Sequence, residues 1–355
     1  MCGIAGTFLW PDGSPLTHRL TAAIAHRGPA GMGRYGHAAG SGEVHLGHRR
    51  LSIIDLSPTG AQPMVHDGLA LVYNGELYNY LELRRELEST GVRFRGSSDT
   101  EVLLEAWRRW GQRCLPRLRG MFAFAIFDER TGELVLARDQ LGIKPLFFLR
   151  RGAAVAFSSE LKALTSALGP SLHFDDSALV ASLLYYWVPD SRCALRDVAK
   201  LPPGSWLRCR PDGRVDQGRF WSIREAAEEA AGDPVPDLDA VIADSTRRHL
   251  LADVPVATFL SGGLDSSYLT ALAARDQEMS AYTIGFRPQD TRWEAMPDDL
   301  GYARQVAERF GVKLEEIEIA PQILDLLPRI IHHLDEPIGD PAAINTFLIC
   351  SAARE

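Results

Sequence analysis

Strand-length apolar runs bounded by Gly, Pro and other turn residues mark the first 200 residues: 44–46, 69–73, 121–127, 134–137 and 154–158. Apolar residues recur at helical spacing only over 77–90 and 100–110. This pattern predicts layered sheets with a few helices. Farther along, the rhythm becomes an alternation of strand and helix. An apolar strand at 254–260 leads into a glycine loop and a helical stretch through Ala274. A strand at 281–286, a helix at 300–310 stopped by Gly311 and a strand at 314–319 follow. Such alternation predicts a parallel sheet with helices on its faces and a ligand at the strand C-termini. Between the two patterns, Pro202-Pro203-Gly204, Pro211-Asp212-Gly213 and Asp233-Pro234-Val235-Pro236 concentrate turn residues. The expected division is a first domain at 2–205, a linker at 206–236 and a second domain at 237–355. Residues 342–353 carry helical apolar spacing (Ile344, Phe347, Leu348, Ala352) with no stop signal before Glu355.

Composition narrows the class of partner. The chain has 355 residues, 46% hydrophobic and 24% charged, enough for two buried cores. A formal net charge of −8 argues against a nucleic-acid backbone as partner and toward small molecules. The five cysteines (Cys2, Cys114, Cys193, Cys209, Cys350) are scattered, odd in number and without a C-x-x-C pair. That pattern fits a reducing compartment rather than a disulfide framework or a zinc site. No run is long and apolar enough to span a membrane and no signal region opens the chain, so the expected location is the cytoplasm.

Cys2 carries the first candidate chemistry. Cysteine is small enough for the initiator methionine before it to be removed, leaving a thiol and a free α-amine on one carbon. An α-amine titrates near pH ~8 and a thiol near ~8.5, so the amine serves as the base that makes the attacking thiolate. Around it stand His26-Arg27-Gly28-Pro29, Arg50-Leu51-Ser52-Ile53-Ile54-Asp55, Tyr73-Asn74-Gly75-Glu76, Ser98-Asp99, Arg119-Gly120-Met121-Phe122-Ala123-Phe124 and the run from Ala137 to Pro145 containing Arg138-Asp139 and Gly142-Ile143-Lys144. Read alone, Asn74-Gly75 suits a hairpin turn, and Ser98-Asp99 caps a helix starting near Thr100. Together with Cys2, these motifs resemble the N-terminal-nucleophile (class II) glutamine amidotransferase domain, in the form fused to asparagine synthetase B.

The resemblance implies an α+β N-terminal-nucleophile fold of layered antiparallel sheets with flanking helices. It implies Cys2 as nucleophile on the glutamine side-chain amide, with the Asn74 side chain and Gly75 N–H as oxyanion donors. Arg50 would hold the α-carboxylate of glutamine, and Asp99, helped by Glu76, its α-amine. Leu51, Ser52, Ile53 and Ile54 complete the implied glutamine site. His26 and His48 are given structural places, because the terminal amine already supplies the base. Phe122, Phe124, Phe127, Phe147 and Phe148 are expected in the core. Related sequences usually carry an aspartate after His-Arg-Gly-Pro, whereas this chain has Ala30.

Ser261-Gly262-Gly263-Leu264-Asp265-Ser266-Ser267 lies between strand and helix, where backbone N–H groups create an anion site. Lacking the Gly-Lys-Ser/Thr ending of a Walker loop, it resembles the pyrophosphate loop of ATP pyrophosphatases. The resemblance implies the start of an α/β parallel-sheet domain that binds ATP through Leu260, Ser261, Gly262, Gly263, Leu264, Asp265, Ser266 and Ile284. In Leu334-Asp335-Glu336-Pro337-Ile338-Gly339-Asp340 the carboxylates suit Mg²⁺, with a solvated acidic loop as the alternative. Asp265, Asp335 and Asp340 are the expected Mg²⁺ ligands.

The expected function is that of a glutamine-hydrolysing asparagine synthetase, here truncated. Ammonia released at Cys2 displaces AMP from an ATP-activated carboxylate, that of the aspartate side chain, and glutamate, AMP and pyrophosphate leave. One alternative is amidation of another carboxylate, in a secondary metabolite or cell-surface precursor. The other is a non-catalytic or glutaminase-only protein. Relatives imply a homodimer.

Overall fold

Each apolar run of the first half lies within a strand of the computed structural model, which describes residues 1–169, 172–286, 299–319 and 323–354. The chain divides into two compact units, Met1–Asp233 with Asp335–Ile338, and Pro234–Leu334 with Gly339–Glu355. The strands of the first unit are β1 (Gly3–Phe8), β2 (Gly31–Ala39), β3 (Gly42–Arg50), β4 (Met64–His66), β5 (Leu69–Leu77), β6 (Gly120–Asp128), β7 (Glu133–Arg138), β8 (Phe147–Arg151), β9 (Ala154–Ser158), β10 (Val198–Lys200), β11 (Ser205–Cys209) and β12 (Val215–Arg219). Its helices are α1 (Gly13–Ala23), α2 (Tyr80–Ser89), α3 (Asp99–Trp110), α4 (Leu161–Leu168), α5 (Asp176–Tyr185) and α6 (Ile223–Glu229).

Two antiparallel sheets form, ordered β10-β8-β9-β1-β3-β2 and β12-β11-β7-β6-β5-β4. Side chains alternate across a strand, so each sheet has two faces to cover. Ala70 and Val72 of β5 join Ile4, Phe8, Val44 and Leu46 in a core between the sheets. Leu69, Leu71 and Tyr73 point the other way, onto Leu83 and Leu87 of α2 and Val102 and Leu103 of α3. The outer face of the first sheet is covered by α1, α4 and α5 through Leu16, Leu20, Leu164 and Ala178. The result is a four-layered α/β/β/α arrangement, as the sequence implied. Of the five expected core phenylalanines, four are buried and Phe148 is half-buried.

Two expectations need correction. The expected linker at 206–236 contains β11, which pairs with β7, and β12, which pairs with β11. Pro211-Asp212-Gly213 closes a hairpin at the sheet edge, while the units divide at Asp233-Pro234, near the end of the expected linker. Helical periodicity from 77 starts a helix only at Tyr80, because Leu77 remains in β5 opposite Gly120.

The second unit contains α7 (Leu238–His249), β13 (Ala257–Phe259), α8 (Leu264–Asp276), β14 (Ser280–Phe286), α9 (Asp299–Phe310), β15 (Lys313–Ile319), α10 (Ile323–Leu334) and α11 (Ala342–Arg354). Its sheet, ordered β13-β14-β15, is parallel. Leu260, Ala273, Met279, Ala281, Ala303 and Ala307 form its core. The first strand is shorter than expected, and Pro255 has no N–H to give a sheet ladder. No helix among the described residues is long and apolar enough to cross a membrane.

Candidate active site

A cavity of about 230 Å³ opens in the first unit where β5, α3 and the segment after β3 meet the amino terminus. This lies below the ~300–1,000 Å³ of drug-sized sites and suits a single amino acid. Cys2, Arg50, Leu51, Ile53, Ile54, Asn74, Gly75, Glu76 and Asp99 all line it. Ser52, expected with them, is not among the lining residues.

Cys2 Sγ accepts from the Leu51 N–H at 3.3 Å and faces the Leu51 carbonyl at 3.5 Å. Burial pushes the thiol pKa up, against the Leu51 contact. In this structure the amino group belongs to Met1, so the nitrogen of Cys2 is a peptide nitrogen with no basicity. The Met1 amine itself is pushed down by burial and by the Arg27 guanidinium. Neither expected structural histidine partners the sulfur. His26 Nε2 lies 3.0 Å from Glu160, and buried His48 faces the Tyr73 carbonyl at 3.1 Å. Burial pushes His48 down to about 3, so it is neutral at physiological pH. Arg27 donates to the Cys2 carbonyl at 2.9 Å and to Glu160 at 2.8 Å, holding the backbone of the thiol residue.

Asn74 and Gly75 sit in the body of β5, opposite Ala123 and Phe122, and so form no hairpin turn. Asn74 is 1% exposed, and its Nδ2 has no hydrogen-bond partner. An unpaired buried donor costs about 1–3 kcal/mol, so its place on a cavity wall points to an absent acceptor. Backbone N–H directions alternate along a strand. Tyr73 N–H reaches the Gln62 side chain at 2.7 Å and Leu77 N–H reaches Asp99 at 3.1 Å, both away from β6. The Gly75 N–H shares their direction. Gly75 is glycine for a reason the sequence did not show: a Cβ there would stand 2.3 Å from the Met121 carbonyl oxygen and 2.8 Å from Phe122 Cα.

Opposite charges occupy separate parts of the wall. Arg50 donates to the carbonyls of Ser57, at 3.0 Å, and Asp55, which fixes its guanidinium plane. Asp55 is itself held, its carboxylate accepting from Ser57, Thr59 and Ser97. Asp99 accepts from Tyr73 Oη at 2.8 Å and from Leu77 N–H, while Ser98 caps α3 by accepting from Glu101 N–H at 3.2 Å. The two readings of Ser98-Asp99 therefore fall to different residues. Burial raises the Asp99 pKa, and burial together with Asp99 raises that of Glu76. A buried pair of carboxylates is eased by an arriving cation.

Sequence reasoning missed Gly60, Gln62, Tyr73, Thr100 and Met121 as lining residues and gave Lys144 no role. Their contacts join distant segments, as when Gln62 bridges Tyr73 N–H and Thr100. A signal existed for Lys144. Asp139 accepts from the N–H groups of Leu141, Ile143 and Lys144, so the quoted run is a loop that presents a lysine. Ala30 is exposed and donates its N–H to the Arg50 carbonyl at 3.0 Å.

In the second unit, Gly263 opens α8 without a side-chain cap, leaving its first N–H groups available to an anion. Ser261 Oγ and Ser266 Oγ are 3.0 Å apart across the loop. Gly262 has φ +80°, and a Cβ there would stand 2.3 Å from the Asp299 carbonyl. Leu264 and Asp265 are exposed, Ile284 is half-buried, and Leu260 is 1% exposed within the core, so only its backbone is open to a ligand. The expected Mg²⁺ ligand set is not brought together. Asp335 belongs to the first unit, where its carboxylate accepts from the Leu161 and Lys162 N–H groups. Asp340 accepts from Ala342 N–H at 2.9 Å at the start of α11. Among the described residues no three His, Cys, Asp or Glu cluster as a metal site.

A glutamine amidotransferase domain family matches residues 1–221, and an asparagine synthase family matches residues 237–355. Asparagine synthetase (glutamine-hydrolyzing) 1 of Bacillus subtilis is 34% identical over 366 residues, covering 100% of this chain and 56% of its own. Asparagine synthetase B (glutamine-hydrolyzing) of Escherichia coli is 32% identical over 352 residues, with 94% and 57% covered. Amidase chry2 of Gibberella zeae is 32% identical over 362 residues, with 91% and 52% covered. The chain thus spans about half the length of these relatives. A cavity that pairs a thiol with an unsatisfied amide donor, followed by a parallel-sheet unit with an open glycine loop, agrees with both matches: the chain belongs to the asparagine synthetase B family, a glutamine amidotransferase domain joined to an asparagine synthase segment.

Proposed function

We propose that the first unit hydrolyses glutamine at Cys2 and that the ammonia serves to amidate an ATP-activated carboxylate, the aspartate side chain, giving asparagine, glutamate, AMP and pyrophosphate. The observation that carries this reading is the buried Asn74 Nδ2 donor without a partner on the cavity wall. Once Met1 is removed, the α-amine of Cys2 takes the thiol proton, and the thiolate attacks the γ-carboxamide carbon. The oxygen becomes an oxyanion, received by Asn74 Nδ2 and the Gly75 N–H. Collapse breaks the C–N bond and releases ammonia, with the proton returned by the amine. Water then cleaves the γ-glutamyl thioester to glutamate. Arg50 meets the α-carboxylate; Asp99 and Glu76 meet the α-ammonium. Of the other expected contacts, Leu51, Ile53 and Ile54 close the cavity.

In the second unit, the loop from Ser261 to Ser266 and the start of α8 would receive the β and γ phosphates of ATP, with Ile284 and the backbone at Leu260 beside the adenosine. Mg²⁺ needs one or two carboxylates besides the phosphates. Asp265 and Asp340 would supply them, whereas both Asp335 carboxylate oxygens already accept from the N–H groups that open α4. A homodimer follows from the family resemblance.

The test is incubation with glutamine, ATP, Mg²⁺ and aspartate. Glutamate release that vanishes in Cys2→Ala supports the first half, and asparagine with pyrophosphate supports the second. Glutamate release unchanged in Cys2→Ala refutes the reading. The similarity to amidase chry2 favours a second acceptor class, and it gains ground if another carboxylic acid is amidated while aspartate is not.

A further inference from the structure

The acidic run after α10 contributes Asp335 to the same unit as the thiol, and the contacts there run in series. Helix α4 starts after Glu160, its N-cap residue, yet Glu160 makes no cap hydrogen bond with its own side chain. Its carboxylate is turned to Arg27 at 2.8 Å and Lys162 at 2.9 Å. The missing cap comes from Asp335, which accepts from Leu161 N–H at 2.5 Å and Lys162 N–H at 2.7 Å. Lys162 Nζ lies 3.6 Å from the same carboxylate. Arg27, held by Glu160, donates to the Cys2 carbonyl.

We propose that Asp335 is a positioning residue for Cys2: by capping α4 in place of Glu160, it leaves the Glu160 carboxylate to anchor Arg27, and Arg27 to anchor the backbone of the nucleophile. Without that cap, the first N–H groups of α4 need an acceptor, and the nearest carboxylate is the one holding Arg27. A glutamate turned back onto its own helix releases the guanidinium, and the thiol loses its fixed place relative to Asn74. The proposal rests on the glutaminase reading above. It assigns the acidic run a task other than metal binding. Glu336, in the same run, pairs with Lys200 at 2.6 Å and accepts from Ala194 N–H, with no link to Cys2.

The experiment compares Asp335→Ala, Asp335→Asn and Glu336→Gln in the whole chain. Two readouts are used: glutamine hydrolysis, and the rate at which iodoacetamide alkylates Cys2 with the other cysteines scored separately by peptide mass. Misplacing a reacting group by about an ångström costs up to roughly a hundredfold. Asp335→Ala is therefore expected to lower kcat roughly tenfold to a hundredfold, with KM for glutamine unchanged, because Arg50 and Asp99 lie outside the series. Alkylation should slow in parallel. Asp335→Asn keeps one acceptor oxygen and should recover most of both rates, while Glu336→Gln should retain them. Parental kcat and alkylation in Asp335→Ala would overturn the proposal, as would an equal loss in Glu336→Gln. If Asp335→Ala fails to fold, Asp335→Ser, whose single short hydroxyl cannot accept from both the Leu161 and Lys162 N–H groups, takes its place and must alkylate more slowly than Asp335→Asn; an equal rate overturns the proposal. A parent chain that releases no glutamate refutes the glutaminase reading instead, and the alkylation comparison still decides the positioning.

Discussion

At the scale of single residues, the site is marked by groups whose needs the protein itself leaves unmet. Asn74 Nδ2 is buried without an acceptor, and Asp99 and Glu76 are carboxyls whose charge burial disfavours. Removing the Asn74 amide should separate activity from stability. Asn74→Ala is expected to lower kcat for glutamine hydrolysis by about 10²–10³ with little change in KM. Its unfolding free energy in urea should fall by no more than ~1 kcal/mol, because the deleted donor forms no bond in the free protein. A loss of several kcal/mol would reassign Asn74 to the framework. The acid pair gives a pH dependence with a definite sign. A raised carboxyl pKa means the ionised form is lost earlier as pH falls, so kcat/KM should decline above pH ~4.3, where ordinary carboxylates are still charged. Asp99→Asn should cost about 1.5–3 kcal/mol of glutamine binding, tenfold or more in KM, and leave a shallower acid limb governed by Glu76. Linkage runs the opposite way for folding. The contribution of Asp99 to stability is largest below its unfolded pKa and declines as pH rises through the raised folded value.

Elements explain why two glycines near the cavity are not equivalent. At Gly60 a Cβ would meet the end of the Arg50 side chain at 2.3 Å and the Asp55 carbonyl oxygen at 2.9 Å, whereas at Gly75 it would stand 2.3 Å from the Met121 carbonyl oxygen and 2.8 Å from Phe122 Cα, in the paired strand. Gly60→Ala should therefore displace Arg50, raising KM for glutamine several-fold and lowering the melting temperature less than Gly75→Ala does. Gly75→Ala must part β5 from β6 and should cost about 1–3 kcal/mol in a denaturation series besides abolishing turnover. Equal destabilisation in the two variants would contradict the geometry. The same contrast shows what the sequence could reveal. Cys2 stood out by its own chemistry, whereas Arg50, Asn74, Glu76 and Asp99 came with the family resemblance; the structure brings all five to one cavity. The reason for Gly75 was not legible, since its neighbour lies across a sheet, and neither were Gln62 and Thr100, whose value is the bond between them. Asp335 misled because a carboxylate that caps a helix 174 positions away leaves no local trace, and an acidic run resembles a metal site whether or not one forms.

For the molecule as a whole, the layered first unit and the parallel second unit could be read from periodicity, but the extent of the first could not. Pro211-Asp212-Gly213 signals a break, and the same residues make the turn of a hairpin that ends a sheet. Whether they separate or complete a domain depends on what the following residues cover. Leu207 and Cys209 are buried among the residues between the sheets, and Phe220 stacks on Phe122 at 6.4 Å between ring centroids. Burying a leucine or phenylalanine side chain contributes about 1.5–3 kcal/mol, so these contacts together approach the 5–15 kcal/mol that separates folded from unfolded domains. A fragment ending at residue 205 should consequently be insoluble or unfolded by circular dichroism. One ending at residue 233 retains β11, β12 and Phe220 and should unfold cooperatively. That longer fragment lacks Asp335, so its Cys2 should alkylate more slowly than in the whole chain even though its core is complete. A folded, fully reactive fragment at 205 would show that the hairpin adds nothing to the unit.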